Sequence, residues 1–134
     1  MPDGMKVKML GGKKLFAQLK KYPGVAQLAV ATGLFAEGTK ILNDSKELVP
    51  VDTGTLRASG IVFPPSLNER GNLSVDIGYG GPAAPYALRV HENPNAGVGS
   101  GVGQWKYLEQ PFRERSQGMN KRMLNRVRNK TKKL

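Results

Sequence analysis

The sequence predicts an α+β fold, and three patterns along the chain predict it. Apolar residues recur at steps of three and four between Val25 and Leu48. A strict two-residue alternation runs from Leu73 to Tyr79. A second helical stripe lies toward the C-terminus. Together they describe a long helix and a C-terminal helix packed on a small, mainly antiparallel sheet. A length of 134 residues suits one domain spanning 1–134, and no internal repeat is visible.

Met5 to Leu10 alternates apolar residues with lysine and reads as a short strand, which Gly11-Gly12 breaks. Lys13 to Tyr22 places Leu15, Phe16 and Leu19 on one helical face, and Pro23-Gly24 ends that piece. The long helix follows, with Val25, Leu28, Thr32, Phe35, Thr39 and Leu42 as its apolar stripe. Gly33 and Gly38 interrupt it, each costing about 1 kcal/mol against alanine. They are either tolerated faults or places where another backbone comes close. Pro50 holds Val49 out of helical geometry, so the helix stops there. Val51 to Thr55 makes a tight turn, in which Asp52 can accept bonds from later amides or cap a short helical start.

Leu56 to Phe63 reads as a strand closed by Pro64-Pro65, and Asn68 to Asn72 as a hairpin turn. The clearest strand follows, with Leu73, Val75, Ile77 and Tyr79 on one face, and Gly80-Gly81-Pro82 ends it. Tyr86 to His91 fits either period. Asn93 to Gly103 is rich in glycine, whose ordering costs the most backbone entropy, so this loop needs a neighbour to hold it. Leu108, Phe112, Met119, Met123 and Val127 line one face of a C-terminal helix, with basic residues mostly elsewhere around it.

The net charge of +11 is unevenly placed: about +8 falls in the last 22 residues, from Arg113 onward, where only Glu114 opposes it. Such an excess points to a polyanionic partner, either nucleic acid or an acidic protein surface. The plainer reading is a solvated tail that aids solubility. No run approaches the roughly 18 apolar residues of a membrane span. The N-terminus lacks the pattern of a secretory signal, and there is no cysteine, so cytoplasmic synthesis is expected.

The catalytic search yields little. Asp52-Thr53-Gly54 is the triplet of the aspartic proteases, in which a dimer brings two carboxylates together. Here an amphipathic helix and a proline precede it instead of a buried strand, and a capped turn explains the same residues. Gly97 to Gly103 lacks both the spacing of a dinucleotide fingerprint and the Lys-Ser/Thr of a nucleotide-binding loop. His91 is the only histidine; on a strand it would face away from Glu92, so neither a metal nor a cofactor is expected. No serine or threonine has an identifiable base beside it. Asn72-Leu73-Ser74 and Asn129-Lys130-Thr131 match the glycosylation pattern but carry no secretion signal with them. A non-enzymatic role is expected.

From Leu48 the chain reads Leu-Val-Pro-Val-Asp-Thr-Gly-Thr-Leu-Arg-Ala-Ser, followed by Pro85-Tyr86-Ala87, Val90-His91-Glu92 and Lys106 to Phe112. In order and spacing, from about Val25 to Phe112, this resembles the tailed-bacteriophage head–tail joining proteins, also called neck, tail-completion or minor capsid proteins. Members carry a long helix running into Pro-Val-Asp-Thr-Gly-x-Leu-Arg-x-Ser, a β-rich middle, a Tyr-Ala segment leading to a Glu, and a Phe/Leu-rich C-terminal helix. One departure stands out: many members follow the Glu with an aromatic-Gly-Thr run, whereas Glu92 precedes Asn93-Pro94-Asn95 and the glycine loop.

The resemblance implies a structural ring subunit at the head–tail junction of a virion, in six or twelve copies. Its partners would be the portal, adaptor, tail terminator or other neck proteins, with packaged DNA close by. On that reading Pro50, Asp52, Thr53, Gly54, Leu56 and Arg57 form a structural turn. Asn93, Pro94, Gly97, Gly99, Gly101, Gly103 and Trp105 meet an adjacent subunit or ring. Arg122, Arg126, Arg128, Lys130, Lys132 and Lys133 face DNA or an acidic collar. The alternatives are a small basic nucleic-acid-binding protein outside a virion, and a tail terminator or capsid-surface protein.

Overall fold

The structure, a computed structural model, describes residues 4–10 as backbone, and 23–51, 54–97 and 103–131. The expected helical face of Leu15, Phe16 and Leu19 lies outside these residues, as do Asp52, Thr53, Gly99, Gly101, Lys132 and Lys133.

The fold is α+β, with a long helix and C-terminal helices packed on a small antiparallel sheet. In chain order the described elements are β1 (Gly4–Leu10), α1 (Pro23–Leu48), α2 (Thr55–Ala58), β2 (Ile61–Val62), β3 (Ser66–Leu67), β4 (Leu73–Gly80), α3 (Ala87–His91), α4 (Glu109–Ser116) and α5 (Met119–Thr131). β4 is central. β1 runs antiparallel along one side, from Gly4 opposite Gly80 to Leu10 opposite Ser74. β2 and β3 share the other side, opposite Ile77–Gly78 and Leu73–Ser74. Pro64-Pro65 lies between them and has no amide hydrogen to give the ladder, which divides this edge into two short pieces. The expected turn at Asn68–Asn72 forms: the Asn68 side chain accepts from the amides of Arg70 and Asn72, both at 2.9 Å, and Gly71 takes φ 79°.

Val75, Ile77 and Tyr79 of β4 are buried, and the Tyr79 hydroxyl donates to Ser45 Oγ of α1 at 2.9 Å. That face of the sheet therefore carries the long helix. Pro23 opens α1, where its missing N–H would have had no helical partner. At the other end, before Pro50, the Val49 amide still donates to Ser45 O.

The expected stripe of α1 is not the one the core uses. Leu28 is 69% exposed, Phe35 is 41% exposed and Thr32 is exposed; of that stripe only Leu42 is buried. The buried series is Ala26, Val30, Leu34, Glu37, Ile41, Ser45 and Val49, again at steps of three and four. The reason is steric. α5 crosses α1 so closely that a Cβ at Gly33 would lie 2.8 Å from the Met123 methyl and from Arg126 Cδ. Small residues permit that approach, and Met123 and Val127 are buried by it. Gly33 thus serves a close approach, but of side chains and not of another backbone.

Two further expectations are corrected. Leu56–Phe63 is not one strand: Thr55–Ala58 is a helical turn, and sheet pairing starts only at Ile61. Gly54 (φ 85°) turns the chain into it, Leu56 plugs into the core, and Ser59 Oγ donates to Leu56 O at 2.6 Å. The C-terminal helix is also two helices, because Gln117 is extended and Gly118 has φ 76°. The predicted face survives the break: Leu108, Met119, Met123 and Val127 are buried and Phe112 is partly so. The ambiguous segment at Tyr86–His91 is the short helix α3.

Candidate interaction sites

The segments on either side of the glycine loop are bound tightly to the body of the protein. The Gln104 amide donates to Leu48 O at 2.7 Å, and the Lys106 amide to His91 O at 2.8 Å. Tyr107 is fully buried; its hydroxyl donates to Ala87 O at 2.7 Å, and its ring meets Tyr79 and His91 edge-on, with centroids 5.1 and 5.0 Å away. Burial pushes the Tyr79 phenol up to about 12 and raises that of Tyr107 as well.

His91 is buried at the centre of this clamp. Its Nε2 accepts from the Glu109 amide at 3.2 Å, which assigns the proton to Nδ1, where it is donated to Glu92 Oε1 at 2.7 Å. The other Glu92 oxygen accepts from Lys106 Nζ at 2.6 Å, and Lys106 also reaches Glu109 at 3.3 Å. The Lys106 bond, with His91 adding to it, holds Glu92 below the ordinary carboxylate range; the Glu92 bond raises Lys106. His91 and Glu92 therefore do meet, because they end a helix instead of alternating along a strand. With both imidazole nitrogens and both Glu92 oxygens engaged, these bonds fix the Lys106–Glu109 backbone against the end of α3. Lys106 takes a left-handed φ of 54°, costing roughly 1–2 kcal/mol, which these contacts offset.

The expected turn and loop residues meet here. Gly103 (φ 86°) rests so close to Pro50 that an added Cβ would run into the proline backbone. That contact is within the chain, although the resemblance places Gly103 at a partner surface. Asn93 Oδ1 accepts from the Asn95 amide at 3.0 Å, Pro94 is exposed and Gly97 has φ 83°. Leu56 is buried, while Arg57 reaches Glu47 only at 3.8 Å in an exposed pair worth little. Trp105 is 39% exposed, with Lys106 Nζ 5.5 Å from its ring, and Leu88 of α3 and Tyr86 before it are exposed as well.

A second exposed apolar set lies toward the opposite end of α1. Leu28, Ala31, Pro65, Leu67 and Leu73 line a shallow groove beside β3.

The basic C-terminal residues divide in two. Arg122 is committed inside the chain: its guanidinium donates to Glu37 Oε1 at 2.6 and 2.9 Å and to the carbonyls of Arg115 and Gln117. Arg115 donates to Glu37 Oε2 at 2.9 Å. Glu37 is 2% exposed; burial alone would raise its pKa, but the two guanidiniums outweigh it and the net shift is downward. Sequence reasoning missed Glu37 and Arg115. The signal was available, since Glu37 falls between Leu34 and Ile41 at helical steps. Arg126, Arg128 and Lys130 are exposed on α5, as is Lys121, which was not among the expected contacts. Among the described residues no helix is long and apolar enough to cross a membrane.

Comparison of the chain with protein-family models, with curated proteins and with solved structures finds no match.

Proposed function

We propose that the protein is a non-enzymatic structural subunit of a tailed-phage neck, part of a ring joining the portal and head to the tail. One observation carries the reading. The three segments on which the resemblance rests, Leu48–Ser59, Tyr86–Glu92 and Lys106–Phe112, are far apart in sequence yet packed together as the root of one loop. Ser59 extends the same unit to the sheet, its Oγ accepting from the Gly80 amide at 3.0 Å. A motif spread in this way is a scaffold, and it anchors Gly103 and Gln104 on one side of the glycine-rich stretch.

The placement of exposed apolar residues also favours a ring. Trp105 follows Gln104, which is bound to Leu48 at the C-terminal end of α1, whereas Leu28 and Leu67 line the groove toward its N-terminal end, so these two exposed sets are unlike. Head-to-tail contacts that close into a ring need two different, complementary surfaces. Six or twelve copies would place the partners of each subunit among the portal, adaptor, tail terminator and other neck proteins, in a virion assembled in the host cytoplasm.

The test is immunogold electron microscopy on intact and on disrupted particles, with antibody against the chain. Label at the head–tail junction is the expected result. Label on tails isolated without heads, at their head-facing end, or over the capsid surface would favour a tail terminator or capsid-surface protein. Absence from both preparations would sink the structural reading and favour a basic nucleic-acid-binding protein acting outside a virion, for which α5 speaks.

A further inference from the structure

The apolar residues of α5 are spent on α1: Met119, Met123 and Val127 are buried and Leu124 is partly buried. Apart from Arg122, which is turned to Glu37, the other polar residues from Asn120 to Lys130 are Asn120, Lys121, Asn125, Arg126, Arg128, Asn129 and Lys130, all exposed. Lys121, Asn125, Arg128 and Asn129 follow at helical steps and form one row; Arg126 and Lys130 form the next. No acidic residue follows Glu114 in the chain, so no Glu–Lys pair at i,i+4 supports this surface.

We infer that this outward face of α5 grips the phosphate backbone of double-stranded DNA. Three features decide the partner. Protein interfaces are anchored by buried aromatic or apolar side chains, and α5 offers none outward, which argues against an acidic protein collar. Single strands are held by stacking bases on aromatic rings, and α5 contains no aromatic residue. Lys, Arg and Asn are the side chains that duplex phosphates and sugars accept. The asparagines strengthen the case: each is a poorer helix former than the alanine or glutamate that would stabilise an idle surface helix. The eleven positions from Asn120 to Lys130 span about 15 Å, long enough to pass roughly four phosphates of one strand.

The inference deepens the neck reading by naming the polyanion and rests on it only for the source of the duplex. Lys121, Arg126 and Lys130 on three phosphates predict that log affinity falls against log salt with a slope of about −2.7. Binding by one subunit is weak, in the range of roughly 10⁻⁴–10⁻⁶ M at physiological salt, and gains strength only from many copies.

The experiment titrates the full chain against a labelled 20-base-pair duplex by fluorescence anisotropy over a salt series. Single-stranded DNA, double-stranded RNA and polyglutamate serve as competitors. The chain with Lys121→Gln, Arg126→Gln and Lys130→Gln should fold normally and show a slope shallower by about 2.7. A wild-type slope near zero, or an unchanged variant, would overturn the inference. Polyglutamate displacing the duplex at equal charge would assign the face to an acidic protein, and tighter binding of a single strand or of double-stranded RNA would also overturn it. Each of these results leaves particle labelling at the neck unaffected, whereas duplex binding by a protein missing from particles would fail the neck reading alone.

Discussion

On the inner side of α5, Arg122 turns back toward α1 and, with Arg115 of α4, encloses the Glu37 carboxylate. On the outer side Lys121 and Lys130 stand exposed along a surface with no acid in its sequence, beside Arg126, which lays its stem against Gly33 of α1 and is still exposed. The residues are chemically alike and a few positions apart, yet one set holds the fold and the other is exposed. The difference is set by the reach of a desolvated counter-charge. A buried carboxylate cannot be left alone at neutral pH, so it claims the cations nearest to it. Charge density in the sequence shows where a basic surface begins, but not which of its members are already engaged.

The comparison breaks most severely at Glu37. Glu37→Ala leaves two guanidiniums facing each other without their anion, and removing one partner of a buried pair costs about 3 kcal/mol or more. Urea denaturation should show it, and a loss below about 1 kcal/mol would mean that the pair contributes little. Gly103→Ala comes next, since it combines a left-handed φ of 86° with a collision against the Pro50 backbone. A loss of about 2 kcal/mol is expected, with faster hydrogen exchange at the Gln104 amide, which donates to Leu48.

Acid sharpens the same contrast. The folded pKa of Glu37 lies below its ordinary value of 4.5, so its stabilisation is present above that pH and lost as pH falls through the depressed value. Stability measured across this window should fall in the wild type, and the part owed to Glu37 should vanish in Glu37→Ala. Gly33→Ala should change stability least. A gain of about 1 kcal/mol in helix propensity is offset by displacing the flexible ends of Met123 and Arg126. A thermal midpoint within a few degrees of wild type checks it.

The α+β class, the central strand at Leu73–Gly80, the turn at Asn68–Asn72 and the inward face of the C-terminal segment were all legible in the sequence. Each rests on a local rule: two-residue alternation, Asn side-chain bonding to nearby amides, and large apolar residues at helical steps. The buried face of α1 was not legible, because size was the wrong guide. Leu28 and Phe35 look like core, while Gly33 and Glu37 do not; the close approach of α5 suits a glycine at 33, and Arg115 and Arg122 allow a carboxylate at 37. The strand expected from Leu56 failed for a related reason. Its residues suit a pleated surface, but Gly54 and Ser59 turn the first four into a helical hook. Strand alternation would separate His91 and Glu92, whereas the helical fold of this segment brings them together with Lys106 at the root of the loop.

The most direct test of the division within α5 compares Arg122→Gln with Arg126→Gln, measuring both urea stability and duplex affinity for each. Arg122→Gln should lose about 2 kcal/mol of stability, as a charged hydrogen-bonding partner of Glu37 is removed, and should keep its duplex binding. Arg126→Gln should stay within about 0.5 kcal/mol of wild type and bind duplex more weakly, with a salt slope shallower by about 0.9. If Arg122→Gln lost the duplex while remaining stable, or Arg126→Gln unfolded while still binding it, the two faces would have been assigned the wrong way round.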